Sequence, residues 1–267
     1  MQLPIHIVDA FTLTRFRGNQ AAVVRLPGWL PDETLQGIAS ENNLSETSFL
    51  VWSDARQAHE IRWFSPMKEI SFCGHATLAS AFVLFDGQPP GQRARFWAAA
   101  VGVVETQALE SGRISMVFPR RDARRLDDAP QALKAGLHPA PREYWVNQQA
   151  YMAVYDTEAD VRAARADMNQ LRTLNPLDVV ITAPASDGGS HDFVSRYFWP
   201  ANGGDEDPVT GSIHTALAPY WAGRLGRSTL VGLQASKRTG LVYCEVTDEA
   251  VEVSGHCVAY LQGVIEV

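Results

Sequence analysis

The chain has 267 residues, 30 acidic and 23 basic, with a formal net charge of −7. That is length for one large domain or two ordinary ones with a substantial core, and the acidic balance argues against a dedicated binder of nucleic acid or anionic membrane. No apolar run approaches the ~20 residues that span a bilayer, and the opening "MQLPIHIVDAF" lacks the basic and apolar regions of a secretory signal.

Short β-rich runs come first: "IHIVDAF", "QAAVVRL", "ETSFLVW" and "HEIRWF", then "ARFWA", "VGVVETQA" and "RISMVF" after a helix. Such closely spaced strands point to antiparallel-rich sheets rather than repeated βαβ units. "PDETLQGIASEN" reads as a surface helix started by Pro31 and Asp32, with Leu35 and Ile38 on its apolar stripe. From Pro119 to Glu143 the chain is charged and proline-bearing, the composition of a connection between residues 1–118 and 144–267, with room for a short helix. Strands are expected near Tyr144–Val146 and Ala150–Tyr155, an amphipathic helix over Thr157–Arg172, and strands at "LDVVITA" and "HDFVSRYF". A second apolar helix and four closing strands follow.

The two halves repeat one another. "RWFSP" (Arg62–Pro66) precedes "CGHATLASAFVLF", and "RYFWP" (Arg196–Pro200) precedes "TGSIHTALAPYWAG". Each is a strand ending in Arg-aromatic-Phe-x-Pro, a polar loop, a glycine turn and a helix apolar on nearly every side. A helix without a polar face must be buried. The central helices are therefore expected inside their halves, starting near Gly74 and Gly211, the second bent by Pro219.

Burial leaves the first N–H groups of each helix in need of partners. Two readings stay open: Thr77 and Ser212 cap their helices, or the paired turns together cradle an anion, most naturally a carboxylate. Near these turns stand His75, Glu46 at the head of an apolar strand, and Asp207 in "GGDEDPVTGS". Each alone is compatible with a satisfied core imidazole, an exposed strand end or an Asx turn. Together they supply an acid, a base and an anion cradle, the parts of a proton-transfer centre. Three cysteines (Cys73, Cys244, Cys257) at irregular spacing form neither a disulfide framework nor a zinc pattern, as in a reducing cytoplasm. No His/Cys/carboxylate group has metal-ligand spacing along the chain, so no metal is expected.

The stretches "VDAFTLTRFRGNQAAVV", "NNLSETSFL", "RWFSPMKEISFCGHATLASAFVL" and "DEDPVTGSIHTALAPYW" resemble the PhzF family of phenazine biosynthesis, with its diaminopimelate epimerase-like fold, over essentially the whole chain. The resemblance implies an α+β protein of two pseudo-symmetric domains. Each is a curled, barrel-like, antiparallel-rich sheet around a central helix, with the last strand returning to the first half and the site in the interdomain cleft. It implies cofactor-independent isomerisation: Glu46 moves a carbon-bound proton, His75 and Asp207 assist, and Gly74, Gly211 and Ser212 hold a small carboxylate substrate. Cys73 and Asn19 are expected as further substrate contacts, with an inert core role open for Cys73 and a turn or packing role open for Asn19. The expected assembly is a homodimer without cofactor.

Relatives within the wider fold use two thiols, one at each helix start. Here Cys73 stands at the first such position and Thr210 at the second, and a threonine hydroxyl is too weak an acid to mirror a thiolate. Two alternatives remain: a dehydratase or epimerase of a cyclic amino acid using Cys73 and Thr210, and a non-catalytic carboxylate-binding module.

Overall fold

The computed structural model describes residues 1–267. In chain order the elements are β1 (Gln2–Ala10), β2 (Asn19–Arg25), α1 (Asp32–Asn42), β3 (Glu46–Ser53), β4 (Ala58–Phe64), β5 (Glu69–Ile70), α2 (Gly74–Phe85), β6 (Arg93–Ala98), β7 (Gly102–Ala108) and β8 (Ile114–Pro119). Next come β9 (Arg124–Leu126), α3 (Gln131–Ala135), β10 (Leu137–His138), β11 (Glu143–Val146), β12 (Ala150–Val154), α4 (Glu158–Ala163), β13 (Arg165–Ala166), α5 (Met168–Leu171) and β14 (Asp178–Pro184). The chain finishes with β15 (Phe193–Trp199), β16 (Gly204–Asp207), α6 (His214–Leu225), β17 (Thr229–Gln234), β18 (Gly240–Val246), β19 (Ala250–Gly255) and β20 (Cys257–Glu266). Two units form: Met1–Val117 with Ser254–Val267, and Phe118–Val253.

In the first unit the strands pair in the order β20-β1-β2-β3-β4-β6-β7, with β2–β3 and β4–β6 parallel and the other neighbours antiparallel. Strand β2 is buried on both faces, as a strand between two layers must be. Ala22 and Val24 point toward α1, where Leu35 sits among Leu3, Ile5, Phe49 and Phe64. On the inner face α2 packs against β1, β2, β3, β6, β7 and β20. Its small residues Ala76, Ala79 and Ala81 are fully buried and let the surrounding strands close in. Ser80 Oγ lies 2.8 Å from Ser48 Oγ and donates to the Ala76 carbonyl, so the polar atoms of this dry contact are paired.

The second unit repeats the pattern. Its order is β9-β11-β12-β14-β15-β17-β18, with β12–β14 and β15–β17 parallel and the rest antiparallel. The repeat extends to side chains. Arg62 forks onto Glu69 with two bonds of 2.7 Å, and Arg196 onto Glu206 at 2.8 and 3.0 Å. The guanidinium lies 5.0 Å from the Phe64 ring in one unit and 5.1 Å from the Phe198 ring in the other. In each, that Phe is the register partner of the same Glu. The Arg-x-Phe signature is thus a clamp fixing the hairpin that leads into each central helix, and the protein is α+β with two pseudo-symmetric halves.

The structure departs from the sequence expectations at four places. First, Pro119–Glu143 is not a free connection: β9 pairs with β11, and Leu133 and Leu137 are fully buried beside Ala153, Ile181 and Phe198. Second, the helix expected over Thr157–Arg172 is broken. Ala164 turns extended (φ −57, ψ 133), Arg196 Nη1 takes the Ala164 carbonyl at 2.7 Å, and Asp167 caps a new short helix. The apolar period survives because Val161, Ala164, Leu171 and Leu174 all face one core. Third, α6 starts at His214, after a turn whose bonds run from residue 214 to 211 and from 215 to 212. Fourth, neither proposed cap forms: Thr77 Oγ1 bonds back to the Cys73 carbonyl at 2.7 Å, and Ser212 Oγ accepts from Gln149. The final strand, β20, pairs with β1 along its length.

Candidate active site

Asn19 opens β2, Glu46 opens β3, Cys73 precedes α2 and His75 lies in its first turn. Glu46 is register partner of Ala21 in the parallel β2–β3 pair, so both strand starts arrive at the same end of the helix. Gly18, at φ +64, lets the chain turn into Asn19; a Cβ there would sit 2.1 Å from the Ala10 carbonyl oxygen. Fold geometry alone therefore gathers four side chains from three elements.

Their geometry is tight. Glu46 Oε2 lies 3.0 Å from His75 Nε2, each side chain 7% exposed, yet that oxygen accepts no well-aligned hydrogen bond. Asn19 Nδ2 is 3.1 Å from His75 Nδ1, and Cys73 Sγ is 3.4 Å from the same nitrogen. An amide N–H facing Nδ1 suits a neutral ring with its proton on Nε2. Turned by half a circle, the amide oxygen would suit the imidazolium.

Burial alone would lower the His75 imidazole, but the neighbouring Cys73 and Glu46 reverse this and hold it well above its ordinary value. Burial and the Glu46 carboxylate push the Cys73 thiol up to about 11, against the pull of His75. The thiol is therefore uncharged near neutrality. Helix α2 has no side-chain cap, so its first-turn N–H groups offer partial positive charge beside this pair.

The predicted residues of the second unit form their own cluster. The Thr210 hydroxyl donates to Asp207 Oδ2 in a short hydrogen bond. Gln234, fully buried, locks this turn: its Oε1 accepts from Thr210 N and its Nε2 donates to the Asp207 carbonyl, both at 2.8 Å. Gln149 Nε2 donates to Ser212 Oγ at 2.9 Å and to Tyr197 OH at 3.1 Å. Tyr197 in turn donates to Asp178 at 2.6 Å. Burial raises Asp178 above its usual range despite the bonds from Tyr197 and Asn202, and burial with Asp178 nearby raises Tyr197. Gly211 is buried beside Ser212. The roles of Gln149, Tyr197 and Gln234 are not legible in the sequence; Tyr197 shows there only as the aromatic of "RYFWP", and Gln234 as a polar residue ending the apolar strand "TLVGLQ".

The donor atoms of Glu46, Cys73 and His75 all lie within 4.8 Å of one another, a His/Cys/carboxylate group invisible to local spacing because Glu46 comes from a separate strand. Cys244 and Cys257 are pushed up strongly by burial, as for packing residues.

A sheet curled about an apolar helix, built twice in one chain, is the architecture of the epimerase-type folds. A hydroxyproline epimerase from Agrobacterium vitis, 12% identical, shares that fold with a TM-score of 0.61 over 99% of this chain and 92% of its own. Residues 8–263 match the family described as phenazine biosynthesis-like protein, PhzC-PhzF, and the chain belongs to that family. An uncharacterised isomerase of Pseudomonas aeruginosa is 41% identical over 264 residues, 98% of each chain. The crystal structure of a PhzF-family protein from Enterococcus faecalis is 37% identical, with a TM-score of 0.92 over the full length of both chains.

Proposed function

We propose that this protein is an isomerase that moves a carbon-bound proton within a small carboxylate substrate, using Glu46 as proton carrier and no organic cofactor or metal. The observation that carries the reading is Glu46 Oε2, a buried carboxylate oxygen without an aligned donor, 3.0 Å from an imidazole whose proton affinity is raised. A carboxylate takes a proton from one carbon and returns it to another without leaving its place. His75 shares the proton between the two steps and offers it as a hydrogen bond to charge developing on the substrate. Asn19 fixes the ring plane. The uncapped first turn of α2 at Gly74 favours the substrate carboxylate by a few tenths to about 2 kcal/mol.

Asp207, Gly211 and Ser212 join the proposal through the repeated sequence pattern and the family resemblance. Gln149 donates to Ser212 Oγ, which leaves the Ser212 O–H to donate to an anion. The Cys/Thr alternative is disfavoured by chemistry: the Thr210 hydroxyl spends its hydrogen bond on Asp207, and Cys73 is protonated near neutrality.

The test is deuterium incorporation at carbon in D₂O, followed by NMR across a panel of unsaturated and amino carboxylates. Glu46→Gln keeps size and hydrogen bonding but removes the titration. It should reduce exchange by at least ~10², the lower end for a general acid–base group, or roughly 3 kcal/mol of barrier. Near-normal exchange by the Gln variant removes Glu46 from the mechanism, and exchange that then fails in Cys73→Ser transfers the role to the thiol.

A further inference from the structure

We propose that ionised Asp178, acting through Tyr197 and Gln149, fixes the direction of the Ser212 hydroxyl so that its proton is offered to the substrate carboxylate. Asp178, Tyr197 and Gln149 are positioning residues, and their role rests on the reading above of Ser212 as a carboxylate contact.

The internal repeat leads to Asp178. Glu46 opens β3 as register partner of Ala21, and Asp178 opens β14 as register partner of Ala150, each in the parallel pair of its own unit. The next residues, Thr47 and Val179, are register partners of Phe64 and Phe198, the phenylalanines of the two arginine clamps. Asp178 therefore holds in the second unit the place that Glu46 holds in the first. Ser212 in "TGS" likewise matches His75 in "CGH". The first unit sets its carboxylate directly against the imidazole. The second joins carboxylate to hydroxyl through two side chains. Tyr197 OH is 2.6 Å from Asp178 Oδ2, and Gln149 Nε2 is 3.1 Å from Tyr197 OH and 2.9 Å from Ser212 Oγ.

A carboxylate only accepts hydrogen bonds, and that one fact sets the direction of every bond in the line. Tyr197, buried, gives its proton to Asp178. Its oxygen then accepts, so the Gln149 amide turns its nitrogen toward it. The same nitrogen faces Ser212, whose oxygen accepts and whose proton is left for an anion. Asn202 Nδ2 donates to the other Asp178 oxygen at 2.8 Å, and both bonds favour the charged form against burial. With a donor in place of Oδ2 the line runs backwards. Tyr197 would accept from residue 178 and donate to Gln149, the amide would present its oxygen, and Ser212 would give its proton to that oxygen instead of to a ligand.

Benzoate titrations of the full chain, followed by the ¹H–¹⁵N resonances of Gly211 and Ser212, test the direction of the line. Asp178→Asn keeps the shape of the side chain. Asn202 keeps its N–H on the oxygen of the new amide, whose NH₂ group then faces Tyr197. Loss of a negative charge by itself would strengthen an anion site. Reversal of the line should instead weaken benzoate about tenfold or more, the worth of a hydrogen bond to a charged group. Ser212→Ala should lose as much, and adding Asp178→Asn to it should cost nothing further. Gln149→Met leaves the bond between Tyr197 and Asp178 in place; it should weaken benzoate when Ser212 is present and not in Ser212→Ala. Unshifted resonances in the wild type, affinity kept or raised in Asp178→Asn or in Ser212→Ala, or an equal loss with and without Ser212 overturns the proposal. These readouts are of binding alone, so absence of proton exchange would leave the line standing, and failure of the line would leave the exchange test of Glu46 untouched.

Discussion

Glu46 Oε2 sits 3.0 Å from His75 Nε2, both side chains almost dry. An imidazole buried to this degree ordinarily gives up its proton; this one is held well above its ordinary value by Cys73 and by Glu46, a carboxylate from a separate strand. The first three predictions concern how protons are held inside the protein.

His75 should titrate well above 6.5 in the wild type and lower in Glu46→Gln, where the carboxylate no longer opposes burial. A raised folded value means that His75 adds stability below its unfolded value of about 6.5, and that this contribution is lost as pH rises through the folded value. The Gln variant should lose part of that contribution. Ring ¹H–¹⁵N correlation spectra across pH 5–9 check it, and an unchanged titration in the variant would show that another group holds the proton.

Cys73 should alkylate slowly. With its thiol near 11 against an ordinary 8.5, the thiolate fraction at pH 8 falls on the order of 10²-fold. Iodoacetamide kinetics read by peptide mass spectrometry should show Cys73 lagging a free cysteine by about that factor. A rate equal to free thiol would mean that the sulfur is ionised, which would favour the thiol-based alternative.

His214 carries an acid-sensitive element of stability. It is fully buried, its Nδ1 contacts the Thr210 carbonyl at 3.0 Å, its Nε2 has no partner, and burial lowers it to about 4. The unfolded chain binds a proton at about 6.5 that the folded chain refuses until about 4, so stability is present above 6.5 and lost as pH falls toward 4. The loss should reach roughly 2–3 kcal/mol by pH 4.5. His214→Asn keeps an N–H for the Thr210 carbonyl and removes the titration. Urea unfolding at pH 7.5 and 4.5 should show the wild type losing that much more than the variant.

Gly18→Ala should disturb the site from a distance. The left-handed backbone at φ +64 and a Cβ 2.1 Å from a main-chain oxygen require the turn to move, at a cost of at least ~2 kcal/mol from backbone strain and contact. Because Asn19 follows directly, the His75 ring resonances should shift with it. A variant of wild-type melting temperature and unshifted His75 signals would show that the turn does not position Asn19.

The parts of this protein that the sequence determined by itself are those written in local periodicity. The helices around Leu78 and Leu217 have no polar face, so their burial follows from composition alone. The Arg62 and Arg196 signatures announce the repeat, and the stretches around Glu46, His75 and Asp207 announce the family. Only the tertiary structure decided the rest, because each remaining feature depends on a partner distant in the chain. The helix expected over Thr157–Arg172 stops where Arg196, from β15, takes its last carbonyls; a periodic apolar stripe cannot reveal that. Gln234 is legible as a strand end but becomes the lock on Asp207 and Thr210 only when β17 lies alongside β15. Glu46 and His75 are two ordinary polar residues in sequence. The parallel pairing of β2 with β3 around α2 brings them to 3.0 Å, and at that distance, out of water, the carboxylate helps the imidazole keep its proton against the cost of burial.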